Sequence, residues 1–312
     1  MAAAVGAELR VREEVGHSSE GTNYGDDGIT KYAKITPCSD LERFLNLHIR
    51  EYLKEAKVNG KQVIDIGCGL GPWSICAAQM GATVLGIDLQ EGMICAAKKA
   101  ALVAGCHINF EQGDAARLKS LDGSFDCALS INVGCNLPRD TFQNHFNEMM
   151  RVLKKGGTAL ISAPFSLDVL FTDGSRKKNE IQGDISALQK EVNDKSDPKT
   201  IQKKINDIQG IVSATFAFHE GKLSLVAPGM IPPDGSEIWR KLSKVTLPNR
   251  YYSESCYLKA FESAGLKVRK IVKDKFATEE EREQFNTGET SPRLGTEYVA
   301  NPPFVLYIVE KS

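Results

Sequence analysis

The stretch Val63-Ile64-Asp65-Ile66-Gly67-Cys68-Gly69-Leu70-Gly71-Pro72-Trp73 decides the fold. A short apolar run ends in three alternating glycines, and a proline comes directly after the third. Proline suits the first turn of a helix, where its missing N–H costs nothing. Strand, tight turn and helix together open a βαβ unit. Glycines let the backbone turn sharply and let a ligand approach with no Cβ in the way. A dinucleotide turn, G-x-G-x-x-G, needs its third glycine at position 72, which is Pro72. Asp65 lies inside the strand, where a carboxylate repels a pyrophosphate and suits a cationic ligand.

Outward from this turn the chain alternates. Apolar strands are expected at Val63–Ile66, Thr83–Ile87, His107–Gln112, Phe125–Ile131 and Thr158–Ala163. Helices are expected at Trp73–Met80, Gly92–Ala104 and Thr141–Lys154, the last ending at Gly156-Gly157, with a charged helix-like stretch after the third strand. Strands alternating with helices imply a mostly parallel α/β sheet with helices on both faces. A helix from Ser39 to Lys57 precedes this core. A helix over Ser253–Ala264 and strands at Leu266–Val272 and Phe304–Glu310 resume it. Nearly 90 residues intervene, too many for a loop. They carry helical stripes (Ile181, Ile185, Leu188, Val192; Ile201, Ile205, Ile208, Val212), with Asp197-Pro198 as a cap between them. A hairpin is expected across His219–Lys222. The reading is a tail and cap helix over 1–60, a core over 61–165 and 250–312, and an α+β insertion over 166–249.

Composition sets bounds. The 312 residues are 42% hydrophobic and 25% charged, so the chain is globular rather than disordered. Lys and Arg (39) balance Asp and Glu (40), which argues against a nucleic-acid-binding surface. No run of about 20 apolar residues exists to span a membrane, and no secretory signal is seen. The eight cysteines form no C-x-x-C pair and no zinc spacing, so no metal is expected. Scattered cysteines, several of them in apolar runs where Cys acts as a small buried hydrophobe, fit a reducing, cytoplasmic location.

The turn resembles motif I, (D/E)-x-G-x-G-x-G, of the class I S-adenosylmethionine-dependent methyltransferases. Further positions match in order: Gly86-Ile87-Asp88-Leu89, with Asp88 nineteen residues beyond Gly69; Gln112-Gly113-Asp114-Ala115; Asn132 after the fourth strand; and Arg151-Val152-Leu153-Lys154-Lys155-Gly156-Gly157. The resemblance covers roughly 61–165 and, more weakly, 250–312. It implies a Rossmann-like seven-stranded, mostly parallel sheet whose last strand inserts antiparallel beside the sixth. It implies S-adenosyl-L-methionine as cofactor and S-adenosylhomocysteine as product.

By the same resemblance Asp65 orients the amino-acid end of the ligand, and Gly67, Cys68, Gly69 and Gly71 lie under it. Asp88 accepts from both ribose hydroxyls, and Leu89 packs on adenine. Asp114 accepts from the adenine amino group, with Gly113 and Ala115 beside the ring. Asn132 borders the methyl donor, and Tyr32 closes over the pocket from the N-terminal segment. Each residue also has a bland reading: strand-end Asp as a turn former, Asn132 as a strand end, Tyr32 and Tyr24 as packing.

The acceptor is less legible. The (D/N)-P-P-(Y/F/W) clamp of DNA-amino methyltransferases is replaced by Asn132-Val133-Gly134-Cys135, so a flipped base has no platform. Asn301-Pro302-Pro303-Phe304 has those letters but precedes the last strand. No residue stands out as a catalytic base. His145 shares a helical stripe with Phe142 and Met149, His219 sits at a turn, and His48 and His107 read as packing. Arg250, Tyr251 and Tyr252 read equally as site or as capping residues. A lid and an insertion favour a small-molecule acceptor with an N- or O-nucleophile, no nucleic acid or membrane partner, and a monomer or homodimer. A protein or RNA methyltransferase docking through the Lys-rich insertion, and a SAM-binding subunit without activity, remain the alternatives.

Overall fold

In the computed structural model the described residues are 17–18, 21–22, 49–164, 187–188, 190, 194, 200, 204, 216–219, 222–225, 233–242, 245–272 and 304–312. Tyr32, Tyr24 and His48 lie outside them, as do Asp197-Pro198 and the insertion's helical stripes apart from Leu188, which is helical and buried. The chain divides into two compact units. One comprises 26–134, 139–165 and 254–312; the other comprises 1–25, 135–138 and 166–253.

The first unit holds strands β1 (Gln62–Ile66), β2 (Thr83–Asp88), β3 (Asn109–Gln112), β4 (Phe125–Ser130) and β5 (Leu153–Pro164). Its helices are α1 (Ile49–Glu55), α2 (Pro72–Gln79), α3 (Glu91–Val103), α4 (Arg139–Val152) and α5 (Glu254–Ala264). The second unit holds β6 (Phe216–His219), β7 (Lys222–Leu225), β8 (Ser236–Leu242) and β9 (Val245–Tyr251). Strands β10 (Leu266–Val272) and β11 (Phe304–Lys311) complete the first unit. Its seven-stranded sheet has the order β10-β11-β5-β4-β1-β2-β3, and only β11 runs antiparallel. The expected mixed sheet with an inserted last strand is therefore present.

Central position explains sequence. β1 lies between β2 and β4, and Val63, Ile64 and Ile66 are fully buried. A strand covered on both faces needs a continuous apolar run, not alternation. Chain order reverses at β1, and open α/β sheets bind ligands at the carboxyl edge of such a switch point. One face of the sheet is sealed by α1 and α2, where Tyr52 stacks on Trp73 with ring planes 2° apart. Elsewhere Phe142 and Phe146 of α4 meet Tyr257 and Phe261 of α5 and Tyr307 of β11, with centroids 5.0–6.1 Å apart. Such aromatic pairs add about 0.5–1.5 kcal/mol each beyond area burial.

Four local expectations change. Residues 113–124 form turns and one isolated bridge, Asp114↔Arg117, rather than a helix. Arg151 uses all five N–H groups here: its guanidinium meets Glu148 twice, Asp122, and the carbonyls of Leu118 and Ser120. Those carbonyls are thereby withdrawn from helix bonds. α4 ends at Val152 because Leu153 already pairs with Phe125, and the Gly156-Gly157 turn sits within the register shift before Thr158. β3 begins at Asn109, leaving His107 exposed rather than packed. β8 and β9 are additions to the expected hairpin, and with it they make a four-stranded antiparallel sheet in the order β9-β8-β6-β7. Pro248 lies in β9, an edge strand, where a missing N–H is tolerated.

Candidate functional site

The glycine turn joins β1 to α2. Gly67, Gly69 and Gly71 all take positive φ, at 71°, 54° and 80°. The N–H groups of Gly67 and Cys68 both donate to the Ile87 carbonyl, at 2.7 and 2.9 Å, tying the turn to the end of β2. At Gly67 a Cβ would lie 2.5 Å from Val133 Cγ2. At Gly69 a Cβ would meet nothing within 4 Å. The turn is thus packed at its first glycine and open at its middle one.

One buried and one half-buried carboxylate, Asp65 and Asp88, flank the turn. Asp65 is 2% exposed and accepts a 2.6 Å hydrogen bond from the Ser74 hydroxyl of α2. Burial pushes its carboxyl up to about 6; the Ser74 bond opposes this and the nearby Asp88 charge adds to it. Asp88 ends β2, and its two oxygens accept the N–H groups of Gly69 at 3.0 Å and Gln90 at 2.9 Å. Burial raises its pKa as well, against the bonds from Gln90, Gly69 and Leu89. Backbone N–H groups and a hydroxyl, rather than a cation, partly offset the cost of burial at both. Burial, with the Asp65 and Asp88 charges, raises the Cys68 thiol far above its ordinary value, so it is no nucleophile.

The third carboxylate comes after β3. Asp114 accepts the Ala116 N–H at 2.8 Å in a side-chain-closed turn, while Gly113 donates to the Asp88 carbonyl at 2.9 Å. Leu89 leads out of β2, and its carbonyl accepts from the Gln112 side chain. Asp65, Asp88 and Asp114 thus stand in or just beyond β1, β2 and β3 of the parallel sheet. The third is reached across two strand spacings.

At β4 the site is polar but neutral. Asn132 takes φ 59°, rare for a residue with a side chain. Ser162 of β5 holds it there, accepting the Asn132 N–H at 2.9 Å and donating to Asn132 Oδ1 at 3.1 Å. Two residues earlier, Ser130 lies 2.8 Å from His145 Nε2, and His145 Nδ1 lies 3.1 Å from the Ala115 carbonyl. Burial lowers the His145 pKa to about 4, against the Ala115 bond and the Asp114 charge. Sequence reasoning misses His145, Ser130 and Ser162 as a connected set. The available signal is a polar residue on the apolar stripe of α4, since buried polar groups need partners.

Residues 63–157 match the family described as a methyltransferase domain. This is a class I, S-adenosylmethionine-dependent methyltransferase domain. The methyltransferase domain is 37% identical over 103 residues to 24-methylenesterol C-methyltransferase 2 of Oryza sativa subsp. japonica, a match covering 31% of this chain and 27% of that protein. It is 35% identical over 125 residues to fatty-acid O-methyltransferase of Mycolicibacterium smegmatis, covering 39% and 44%. The chain spans less than two thirds of the length of the curated relatives it matches first. Magnesium protoporphyrin IX methyltransferase from Synechocystis PCC 6803, solved with bound SAH, shares the fold at TM-score 0.52 and 16% identity, covering 93% of this chain and 96% of that one.

The methyltransferase domain fits its family's cofactor, S-adenosylmethionine. Gly69 leaves space where a ligand approaches, and an ionised carboxylate has about four acceptor positions, so Asp88 retains capacity beyond its two backbone bonds. Among the described residues no group of His, Cys, Asp and Glu could hold a metal, and no helix is long and apolar enough to cross a membrane.

Proposed function

We propose that the chain transfers the methyl group of S-adenosylmethionine to a small-molecule acceptor through an N- or O-nucleophile. The observation that carries the reading is the open glycine turn flanked by the carboxylates of Asp65 and Asp88, with no cationic side chain paired to either among the described residues. A sulfonium ligand with an ammonium group supplies positive charge there, together with a methyl already activated for in-line displacement. Asp88 binds the ribose hydroxyls, Asp65 the amino-acid end, Asp114 the adenine amino group with Gly113 and Ala115 at the ring, and Leu89 packs on adenine. Gly67, Cys68, Gly69 and Gly71 lie beneath the ligand, and Tyr32 covers it. Asn132, held rigid by Ser162, borders the reacting methyl.

The chain's own contribution is alignment and exclusion of water, and such positioning supplies about 7–11 kcal/mol of a barrier. The buried Cys68 thiol and the neutral, core-bound His145 are removed from proton transfer. The acceptor's proton therefore leaves to solvent or to a group outside these residues. Relatives named for sterol and fatty-acid methylation support a small acceptor. The second unit, with residues 166–249, selects that acceptor in this reading. The cysteines among the described residues are unbridged, which supports a reducing, cytoplasmic setting.

Calorimetry with S-adenosylhomocysteine, and then a screen of small metabolites with methyl-labelled S-adenosylmethionine, tests the proposal. Binding plus label transfer to a small molecule is expected. Absence of binding overturns the ligand assignment. Binding with transfer only to RNA or protein overturns the acceptor class.

A further inference from the structure

We infer that His145 is a positioning residue, whose imidazole locks the Asp114–Ala115 loop to the end of β4 and so fixes the adenine end of the ligand relative to the methyl end. The inference rests on the ligand reading above.

Sheet order makes the connection necessary. β3 and β4 are separated by β2 and β1, so their ends lie about three strand spacings apart, roughly 14 Å. The chain after β3 must return across that distance, and no helix carries it. Its Ala115 carbonyl stops at His145 Nδ1, and Ser130 at the end of β4 meets Nε2 of the same ring. One imidazole therefore sets the separation of two segments that are distant in sheet order.

The partners fix the chemistry. A carbonyl only accepts, so Nδ1 carries the hydrogen. Burial keeps the ring neutral, so Nε2 presents a lone pair and the Ser130 hydroxyl donates to it. The ring is fully buried and rests against Phe146, with centroids 4.9 Å apart. Its neighbours on the stripe are Phe142, Phe146, Met149 and Val152, so an apolar side chain would satisfy packing alone. A histidine here bears a desolvation cost that only its two hydrogen bonds offset. From Ser130 the connection continues through the chain to Asn132, which Ser162 clamps.

The test uses the full chain carrying His145→Leu or Ser130→Ala, with folding checked by circular dichroism and thermal midpoint. S-adenosylhomocysteine affinity is read by calorimetry well below the midpoint. About tenfold weaker binding is expected in folded variants, the worth of one well-made hydrogen bond. His145→Leu combined with Asp114→Ala should fall short of additivity, since both act on the adenine contact, whereas with Asp88→Ala it should be additive. A purely structural histidine would lower the midpoint and leave affinity unchanged, and that result, or additivity with Asp114→Ala, overturns the inference. Should His145→Leu fail to fold, Ser130→Ala, which removes one hydroxyl, decides alone. Failure of the native chain to bind overturns the ligand reading, and this inference with it.

Discussion

The turn after β1 and the polar ladder beneath β4 both draw polar side chains away from water but handle the cost differently. Asp65 carries an acid group into the core and Asp88 holds a second, half-buried, beside it, and both are only partly compensated, with Asp65 raised to about 6. His145, Ser130 and Ser162 carry neutral groups and engage one another or the backbone. Uncompensated charge destabilises a fold and prepares it for a cation. Satisfied neutral polarity stabilises geometry and attracts nothing. The contrast separates the part of the site that binds from the part that holds shape.

The largest effect is expected at the seam between the two. Gly67→Ala forces a Cβ to 2.5 Å from Val133, next to Asn132, at φ 71°. Overpacking and left-handed strain together cost about 4 kcal/mol, visible in denaturant unfolding. Gly69→Ala should cost only about 1 kcal/mol in stability, because its Cβ meets nothing, yet weaken S-adenosylhomocysteine binding by more than that. Equal losses in both assays would break the distinction between packed and open glycines.

Next comes Asp88→Ala. Losing two hydrogen bonds to a charged acceptor should weaken binding roughly 100-fold in calorimetry. Unchanged affinity would remove Asp88 from the ribose.

Asp65→Asn sharpens the contrast through pH. The folded-state pKa of Asp65 is raised, so the native state holds its proton longer than the unfolded chain does. The resulting stability is intact below the ordinary carboxylate range and lost as pH rises to about 6. The amide still accepts from Ser74 and never ionises. Its thermal midpoint should match the native chain near pH 4 and lie above it near pH 7, where the difference in unfolding free energy is about 2–3 kcal/mol. His145 acts in the opposite direction: its depressed pKa gives stability that is present above about 6.5 and lost as pH falls through about 4. A constant midpoint difference for Asp65→Asn would show that Asp65 is not the group responsible.

The smallest effect is at Ser162→Ala, which leaves the Asn132 N–H without its hydroxyl and should cost about 1 kcal/mol in unfolding while leaving the pH dependence unchanged.

Legibility in the sequence depends on the range of each interaction. The glycine turn, Pro72 at the start of α2 and the acidic residues in or beyond β1, β2 and β3 obey local rules, so a short window reveals them. The loop over 113–124 does not, because its path is set by Arg151, some thirty residues away. β8 and β9 are hidden by charged residues and by Pro248, which reads as a strand breaker until its place on a sheet edge is known. His145 can be placed on a buried helical face. Its partners at Ala115 and Ser130 require the fold.

The antiparallel β11 has a consequence for how the molecule is made. It lies between β5 and β10, and Val305 to Val309 are all buried. The sheet is therefore closed by a strand that follows both of its neighbours in the chain and inserts between them. Without residues 304–311, β5 and β10 lack their shared partner, and unpaired strand edges recruit other chains. Removing those eight residues would leave the glycine turn complete but split the sheet between β5 and β10.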